Sequence, residues 1–233
     1  MAKTKTKQHE GAEILEDPEL LAGKAEEFFS EKRNRNLVFG IGGIIAVLAI
    51  AFLGYKYYVN SNNATAQQEM FQAVFYFEAD SLDKALNGDG INLGFLDIID
   101  TYAGTDAANL SKFYAGAAHL NMGNYTSATL QFEDFSSSDN LVQARAYALT
   151  GDAYSELGQY DDAIAAYESA AAYRPNDELT PIYLLKLAAA NEAKGSYADA
   201  AKAYDKIVED FSKSTFVAEA KKQKARLQGL AAE

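Results

Sequence analysis

Few residues of this chain have the chemistry for catalysis. The sequence contains no cysteine and only two histidines, which excludes thiol nucleophiles, disulfides and zinc–thiolate sites. His9 falls in a polar, lysine-rich stretch, and His119 occupies an apolar position of a helical pattern, where it is predicted to pack in a core. Neither has the partners that general acid–base or nucleophilic catalysis needs.

Adjacent acidic residues occur at three places and would suit acid–base chemistry only inside a cleft. The pairs are Glu133-Asp134, Asp161-Asp162 and Glu209-Asp210. They fall near predicted turns or on outward helix faces, so we interpret them as solvated surface. The sequence has no phosphate-binding loop or nucleophile motif. It therefore predicts a protein that is not an enzyme, without catalytic residues, cofactor, metal or small-molecule substrate.

The loop 87–90, Asn-Gly-Asp-Gly, suggests a calcium loop at first reading. Counted from Asp83, a glycine falls at the sixth position of an EF-hand. The third position is Ala85 and the twelfth is Gly94, where a bidentate acid is required. The loop is predicted to be a turn rather than a calcium site.

An uncharged stretch from Leu37 to Tyr55 organises the chain. At helical rise these residues reach ~28 Å, close to the ~30 Å core of a bilayer, so residues 37–58 are predicted to form one transmembrane helix. Lys32, Arg33 and Arg35 precede the stretch, which predicts a cytoplasmic N-terminus by the positive-inside rule. A cleaved signal peptide, with Ala64-Thr65-Ala66 as its site, fits less well because the apolar run is too long.

Small residues lie on one face of this predicted helix, at Gly42, Ala46 and Ala49. Such a face suits helix–helix contacts in lipid, and a lone helix is the alternative. Before it, residues 1–36 are predicted to form a cytoplasmic tail with a short amphipathic helix at 17–31. That helix would dock a partner, extend the anchor or self-associate.

Residues 60–233 carry 13 Lys/Arg and 25 Asp/Glu, a net charge of −12. That balance argues against nucleic-acid binding, which needs a basic surface, and against lying flat on anionic lipid. It indicates either simple solubility or a basic partner. The predicted fold class is all-α: the single N-terminal span is followed by a helical solenoid with a C-terminal capping helix.

Residues 59–108 are predicted to form a degenerate first helix pair. Within it, Asn60 to Asn63 form a short polar linker or frayed turn. The helix that starts at Ala66 reaches Leu82 or Leu86, and a second, short helix begins at Phe95 and ends before Gly104.

A repeat begins at Asn109, and its clearest unit is 144–177. This unit resembles the tetratricopeptide repeat (TPR) over its full length. The matching small, aromatic and proline positions are Tyr147, Gly151, Tyr154, Ala163, Tyr167, Ala170 and Pro175. Residues 109–142 and 181–214 share the register. Residues 215–233 are predicted to cap the array, with Phe216, Val217, Ala220, Ala225 and Leu227 buried.

The concave face of a TPR array is lined by positions two, five, nine and twelve of each first helix, and it binds proteins. Here those positions predict a mostly apolar groove for an amphipathic or unfolded segment, unless the first helix or the cap covers it. The predicted groove residues are Leu110, Phe113, Ala117, Leu120, Arg145, Ala148, Asp152, Ser155, Ile182, Leu185, Ala189 and Glu192.

The whole chain resembles the bacterial YfgM family of ancillary SecYEG translocon subunits, in its Bacteroidota-type form. The likeness lies in FQAVFYFEADSLDKALNGDG, GFLDIIDTYAGT and NLSKFYAGAAHLNMGNY, within 70–125. It implies a single-pass inner-membrane protein with its TPR domain in the periplasm. The implied partners are the SecYEG translocon, a periplasmic chaperone and exported unfolded chains. The repeats are also similar to those of BamD- and CpoB-type scaffolds for envelope or outer-membrane protein assembly, which lack the uncleaved anchor.

Overall fold

The structure, a computed structural model, describes residues 23, 26 and 28–230. The chain divides into two compact units, Met1–Tyr58 and Val59–Glu233. Ten helices lie wholly within the continuous described stretch: α1 (Lys32–Glu78), α2 (Leu82–Asn87), α3 (Phe95–Thr101), α4 (Asp106–Asn121), α5 (Tyr125–Glu133), α6 (Asn140–Glu156), α7 (Tyr160–Ala172), α8 (Thr180–Lys194), α9 (Tyr197–Asp210) and α10 (Val217–Leu230). Most of the helix predicted at 17–31 lies outside the described residues.

The first unit contains the uncharged stretch, which forms part of α1. Its large side chains, such as Phe39 and Ile50, are exposed, and none of its most apolar window is buried within the protein. Of the described helices, α1 alone is long and apolar enough to cross a membrane. A long helix that exposes apolar side chains all round is compatible with a single-pass membrane anchor.

The predicted linker at Asn60 to Asn63 is wrong, because α1 runs through it without a break. Tertiary contacts explain the difference. The Asn63 side chain accepts a hydrogen bond from the Ala107 backbone N–H (3.2 Å) and donates one to the Asp106 carboxylate (3.3 Å). Asn63 thus satisfies part of the N-terminus of α4, and Ala66 is fully buried one turn later.

The helix that was predicted to reach Leu82 or Leu86 ends earlier, at Glu78. Asp80 adopts a left-handed conformation (φ 55°), and the Ser81 backbone N–H bonds to the Tyr76 carbonyl at 2.8 Å. This arrangement closes the helix, and the short helix α2 follows. Helix α3 ends at Thr101, before Gly104 as predicted.

Helices α4 to α9 form three consecutive pairs, and each helix packs against the next. Small residues permit the close approach within a pair. A Cβ added at Gly116 of α4 would lie 2.8 Å from the Phe132 ring of α5. Helices α4 and α5 therefore pack at a distance that only a glycine at position 116 allows.

Helix α10 covers the end of the third pair. Ala220 and Leu227 are fully buried, while Phe216 and Val217 are half-buried. The prediction that Ala225 is buried is wrong: it is exposed. Residues seven apart share a helix face, and Ala225 lies on the opposite one.

Candidate functional site

A groove of about 500 Å³ opens on the second unit, across the first helices of the three pairs. Helix α6 forms its centre, with α4 on one side and α8 on the other. Its lining is mostly apolar and consists of Phe113, Leu141, Val142, Arg145, Ala148, Leu149, Asp152, Leu179, Ile182, Tyr183 and Lys186.

Helical spacing determines which side chains of α6 face the groove. Leu141, Arg145, Ala148 and Asp152 follow one another by three or four residues, so they share one face. The helix starts early enough to include Leu141 because the Asp139 carboxylate accepts hydrogen bonds from two backbone N–H groups, at 2.8 and 3.0 Å. These bonds lower the pKa of Asp139. The cap therefore defines one edge of the groove.

The floor of the groove is formed by a small side chain. Ala148 is buried there and belongs to a core cluster with Ala144, Ala170 and Tyr183. Because an alanine stands where a longer side chain would fill the space, a ligand side chain can approach α6 closely.

One end of the groove carries a fixed ion pair. The Lys186 ammonium lies 2.7 and 2.9 Å from the two Asp152 carboxylate oxygens. The buried Tyr167 hydroxyl also donates to Asp152, at 2.7 Å. Burial is the main cause that raises the pKa of Tyr167, and its bond to Asp152 adds to this. Asp152 is thus held from α7 and α8 together.

Arg145 is exposed in the middle of the groove. Among the described residues it takes part in no ion pair. Burial raises the pKa of the neighbouring Tyr183 hydroxyl, and the positive charge of Arg145 opposes that rise. The groove therefore combines apolar walls with one positive charge that is free to meet a ligand.

The structure brings five of the twelve predicted groove residues together in this cavity: Phe113, Arg145, Ala148, Asp152 and Ile182. Phe113 has a double role, since its ring also packs on Phe132 and Phe135, at centroid distances of 5.9 and 5.4 Å.

The other predicted positions of the first two repeats lie elsewhere on their helices. Leu110 is half-buried on α4. Ala117 and Leu120 pack against the core around Phe132. The Ser155 hydroxyl lies 3.3 Å from the Tyr167 hydroxyl, as part of the contact between α6 and α7.

In the third repeat, the predicted positions approach the cap. Leu185 packs against the C-terminal core, and Ala189 is exposed. Glu192 accepts a hydrogen bond from the Tyr204 hydroxyl at 2.9 Å and pairs with Arg226 of α10. Burial, followed by the bond to Glu192, raises the pKa of Tyr204 to about 12. Glu192 thus serves the packing of the cap.

Six lining residues were not predicted: Leu141, Val142, Leu149, Leu179, Tyr183 and Lys186. Leu149 and Lys186 stand at position six of their repeats, one residue beyond the position that was considered. The signal for Leu141 and Val142 was Asp139, a typical N-cap residue that extends α6 in the N-terminal direction.

Three acids of the adjacent acidic pairs contact side chains of neighbouring helices. The Tyr154 hydroxyl donates to Glu133, which raises the pKa of Tyr154 to about 12. Lys112 pairs with Asp134 at 3.1 Å, and Lys194 pairs with Asp161. These acids therefore tie neighbouring helices together.

His119 is half-buried, and its Nδ1 atom is buried without a hydrogen-bond partner among the described residues. Burial lowers its pKa. His9 lies outside the described residues. Within the described part of the chain, no cluster of three or more His, Cys, Asp or Glu side chains is placed to hold a metal ion.

Comparison with known proteins supports the repeat assignment. The tetratricopeptide repeat family matches the chain twice, over residues 113–178 and 149–215. No curated protein matches the chain significantly. The predicted fold class is confirmed: the described chain is all-helical, with TPR units and one long apolar N-terminal helix. TPR units are protein-binding modules and generally not catalysts. The region from residue 113 to residue 215 is therefore a tetratricopeptide-repeat array.

Proposed function

We propose that this protein is a membrane-anchored module that binds apolar or amphipathic polypeptide segments in the groove across α4, α6 and α8. The observation that carries the proposal is the groove's composition: apolar walls, an alanine floor and the free charge of Arg145. A helical or extended segment buries its apolar side chains in such a surface. The protein acts by binding and not as an enzyme.

The proposed anchor is the apolar part of α1, in a single pass through a bacterial inner membrane. Three basic residues precede the apolar run and only Lys56 follows it closely, which supports a cytoplasmic N-terminus and periplasmic repeats. The resemblance to the YfgM family supports the finer proposal. In it, the partners are the SecYEG translocon, a periplasmic chaperone and exported unfolded chains.

A scaffold for envelope or outer-membrane protein assembly is the second candidate. The size of the groove favours it: about 500 Å³ accommodates only a few side chains. A short cleft of this kind suits one anchoring segment of a folded partner better than a long stretch of a passing unfolded chain.

Site-specific photocrosslinking in native membranes distinguishes the two. The probe replaces Leu141, which lines the groove and is 57% exposed. Phe113 is a poorer site because its ring is part of the core. The matched control replaces Leu130 of α5, which is 62% exposed and does not line the groove.

Crosslinks from position 141 to many exported chains, to translocon subunits or to a chaperone would support the first function. A single stoichiometric envelope protein would support the scaffold. If the crosslink yield at position 141 is no higher than at position 130, the groove is not the binding site. Ile182→Asp should abolish the crosslinks by placing a charge in the apolar wall, and circular dichroism would check that this variant folds.

A further inference from the structure

An aromatic face lies unpartnered on the segment of α1 that belongs to the second unit. Phe71 is 73% exposed and Phe75, one turn later, is 55% exposed. The opposite side of the same segment supplies Ala66 and Ala73 to the interior, both fully buried. Single exposed apolar residues are ordinary, but contiguous ones mark interaction sites.

A braced loop, bonded to Tyr76 of the same α1 segment, holds another exposed apolar residue. Ile91 is 91% exposed, yet its loop is well ordered by Asp89. That carboxylate accepts bonds from the backbone N–H groups of Ile91 (2.9 Å) and Asn92 (2.7 Å), and from the Tyr76 hydroxyl (2.6 Å). The Tyr76 and Phe75 rings are 6.1 Å apart. Folding Ile91 inward would break these bonds, so its exposure is part of the fold.

Glycines also constrain this loop. A Cβ at Gly94 would lie 2.2 Å from the Leu86 carbonyl oxygen, and one at Gly88 would lie 2.4 Å from the Asn92 carbonyl oxygen. The base of the loop therefore packs closely against the C-terminal end of α2.

The segment of the chain that carries this face has charges of almost one sign. Residues 59–106 contain one basic residue, Lys84, and eight acids. The seven ion pairs among the described residues all lie between 112 and 226, so none of the eight acids has an ionic partner there. The acids are Glu69, Glu78, Asp80, Asp83, Asp89, Asp97, Asp100 and Asp106.

We propose that Phe71, Phe75 and Ile91, with the exposed Glu78 on the same face of α1, form a second docking surface for a cationic amphipathic polypeptide segment. Its apolar side chains cover the three exposed residues, and its Lys or Arg side chains meet Glu78, which has no ionic partner among the described residues. We name this surface the acidic–aromatic face. It is independent of the groove and of the function proposed for it.

The chemistry on the chain disfavours two other occupants. Anionic lipid headgroups would be repelled by the acids. Within the second unit, the basic stretch of α10 is already engaged, since Lys224 and Arg226 form ion pairs and Leu227 is buried. A separate basic partner is therefore the occupant that fits.

The test uses the full chain in phosphatidylcholine nanodiscs. Because the chain has no cysteine, Ala79→Cys, at an exposed position next to the face, takes a donor fluorophore specifically. The probe is an acceptor-labelled helical peptide of ~18 residues with Leu on one face and Lys on the other. Energy transfer then reports binding at this face, and Ser212→Cys gives the background.

We expect transfer from position 79 that weakens with salt, and none with a peptide carrying Glu in place of Lys. The double variant Phe71→Ser/Phe75→Ser should weaken binding at least about tenfold, and Ile91→Ser should weaken it too. Glu78→Lys is a charge reversal outside the apolar patch and should also weaken binding. Leu130→Ser and the groove variant Ile182→Asp should leave it unchanged.

The proposal would be overturned if the double variant bound the Lys peptide with the same affinity as the unmodified protein. It would also be overturned if the Glu peptide bound as well as the Lys peptide. Transfer between donor- and acceptor-labelled copies of the protein, lost in Phe75→Ser, would assign the face to a second copy instead. Matching circular dichroism spectra would show that the variants fold.

Discussion

Gly151 of α6 lies directly against the Tyr167 ring of α7: a Cβ at position 151 would be 2.6 Å from the nearest ring carbon. Real Cβ atoms do not approach other atoms so closely, so the helices pack at this distance because residue 151 is glycine. The approach also places the Tyr167 hydroxyl 2.7 Å from Asp152, which holds Lys186 in the groove. One helix contact thus orders the charged end of the groove.

Gly151→Ala should therefore destabilise the protein by about 1–3 kcal/mol, because an overpacked contact outweighs the better helix propensity of alanine. Urea unfolding followed by circular dichroism measures the change. Gly229→Ala is the matched control, since nothing lies within 4 Å of a Cβ at that position of α10. If both variants are equally stable, the close approach does not constrain the repeat.

Asp139→Ala should fray the start of α6, because two backbone N–H groups lose their acceptor. We expect the Tm to fall by about 2–4 °C, with weaker crosslinking from Leu141. Asp139→Asn retains a capping oxygen and should stay close to the wild type. A fall of equal size in the Asn variant would show that charge, rather than the cap, is responsible.

Leu227→Ala should cost about 2–5 kcal/mol, because the fully buried side chain leaves a cavity between α9 and α10. Chemical denaturation checks this value. Ala225→Ser, at an exposed position of the same helix, should be nearly neutral. A small effect at position 227 would mean that the array does not depend on its cap.

His119 should make stability depend on pH. Burial lowers its pKa below the ordinary 6.5, so near that pH the unfolded chain binds more protons than the folded chain. The histidine contribution is fully present well above pH 6.5 and is lost as the pH falls through that value and then through the lower folded-state pKa.

Unfolding free energies at about pH 7.5 and about pH 5.5 should therefore differ more in the wild type than in His119→Phe. An equal pH response in the two proteins would show that His119 does not titrate between these values. Carboxylates whose folded-state pKa is lowered, such as that of Asp139, act in a separate and more acidic window.

The proposed orientation can be tested by thiol labelling, because every introduced cysteine is unique. Ser212→Cys, in an exposed position, should react with a membrane-impermeant maleimide once the outer membrane is permeabilised. Thr4→Cys should react only after the inner membrane is opened. The reverse pattern would invert the proposed topology.

The sequence by itself determined the repeat. The small and aromatic positions recur with a fixed spacing, and Gly151 and Tyr167, which the structure brings into contact, are two of them. The length and composition of the apolar stretch likewise determined that one helix suits a membrane. Both features are periodic or compositional, and such features can be recognised in the sequence without knowledge of the fold.

Only the tertiary structure decided where the helices begin and end and which side chains share the groove. Asn63 continues α1 because it meets the N-terminus of α4, a contact across more than forty residues. Glu192 matches a groove position in register, yet it pairs with Arg226 of the cap. Ile91 is exposed because Asp89 braces its loop against Tyr76. These outcomes depend on partners that are distant in sequence, and a local pattern carries no information about them.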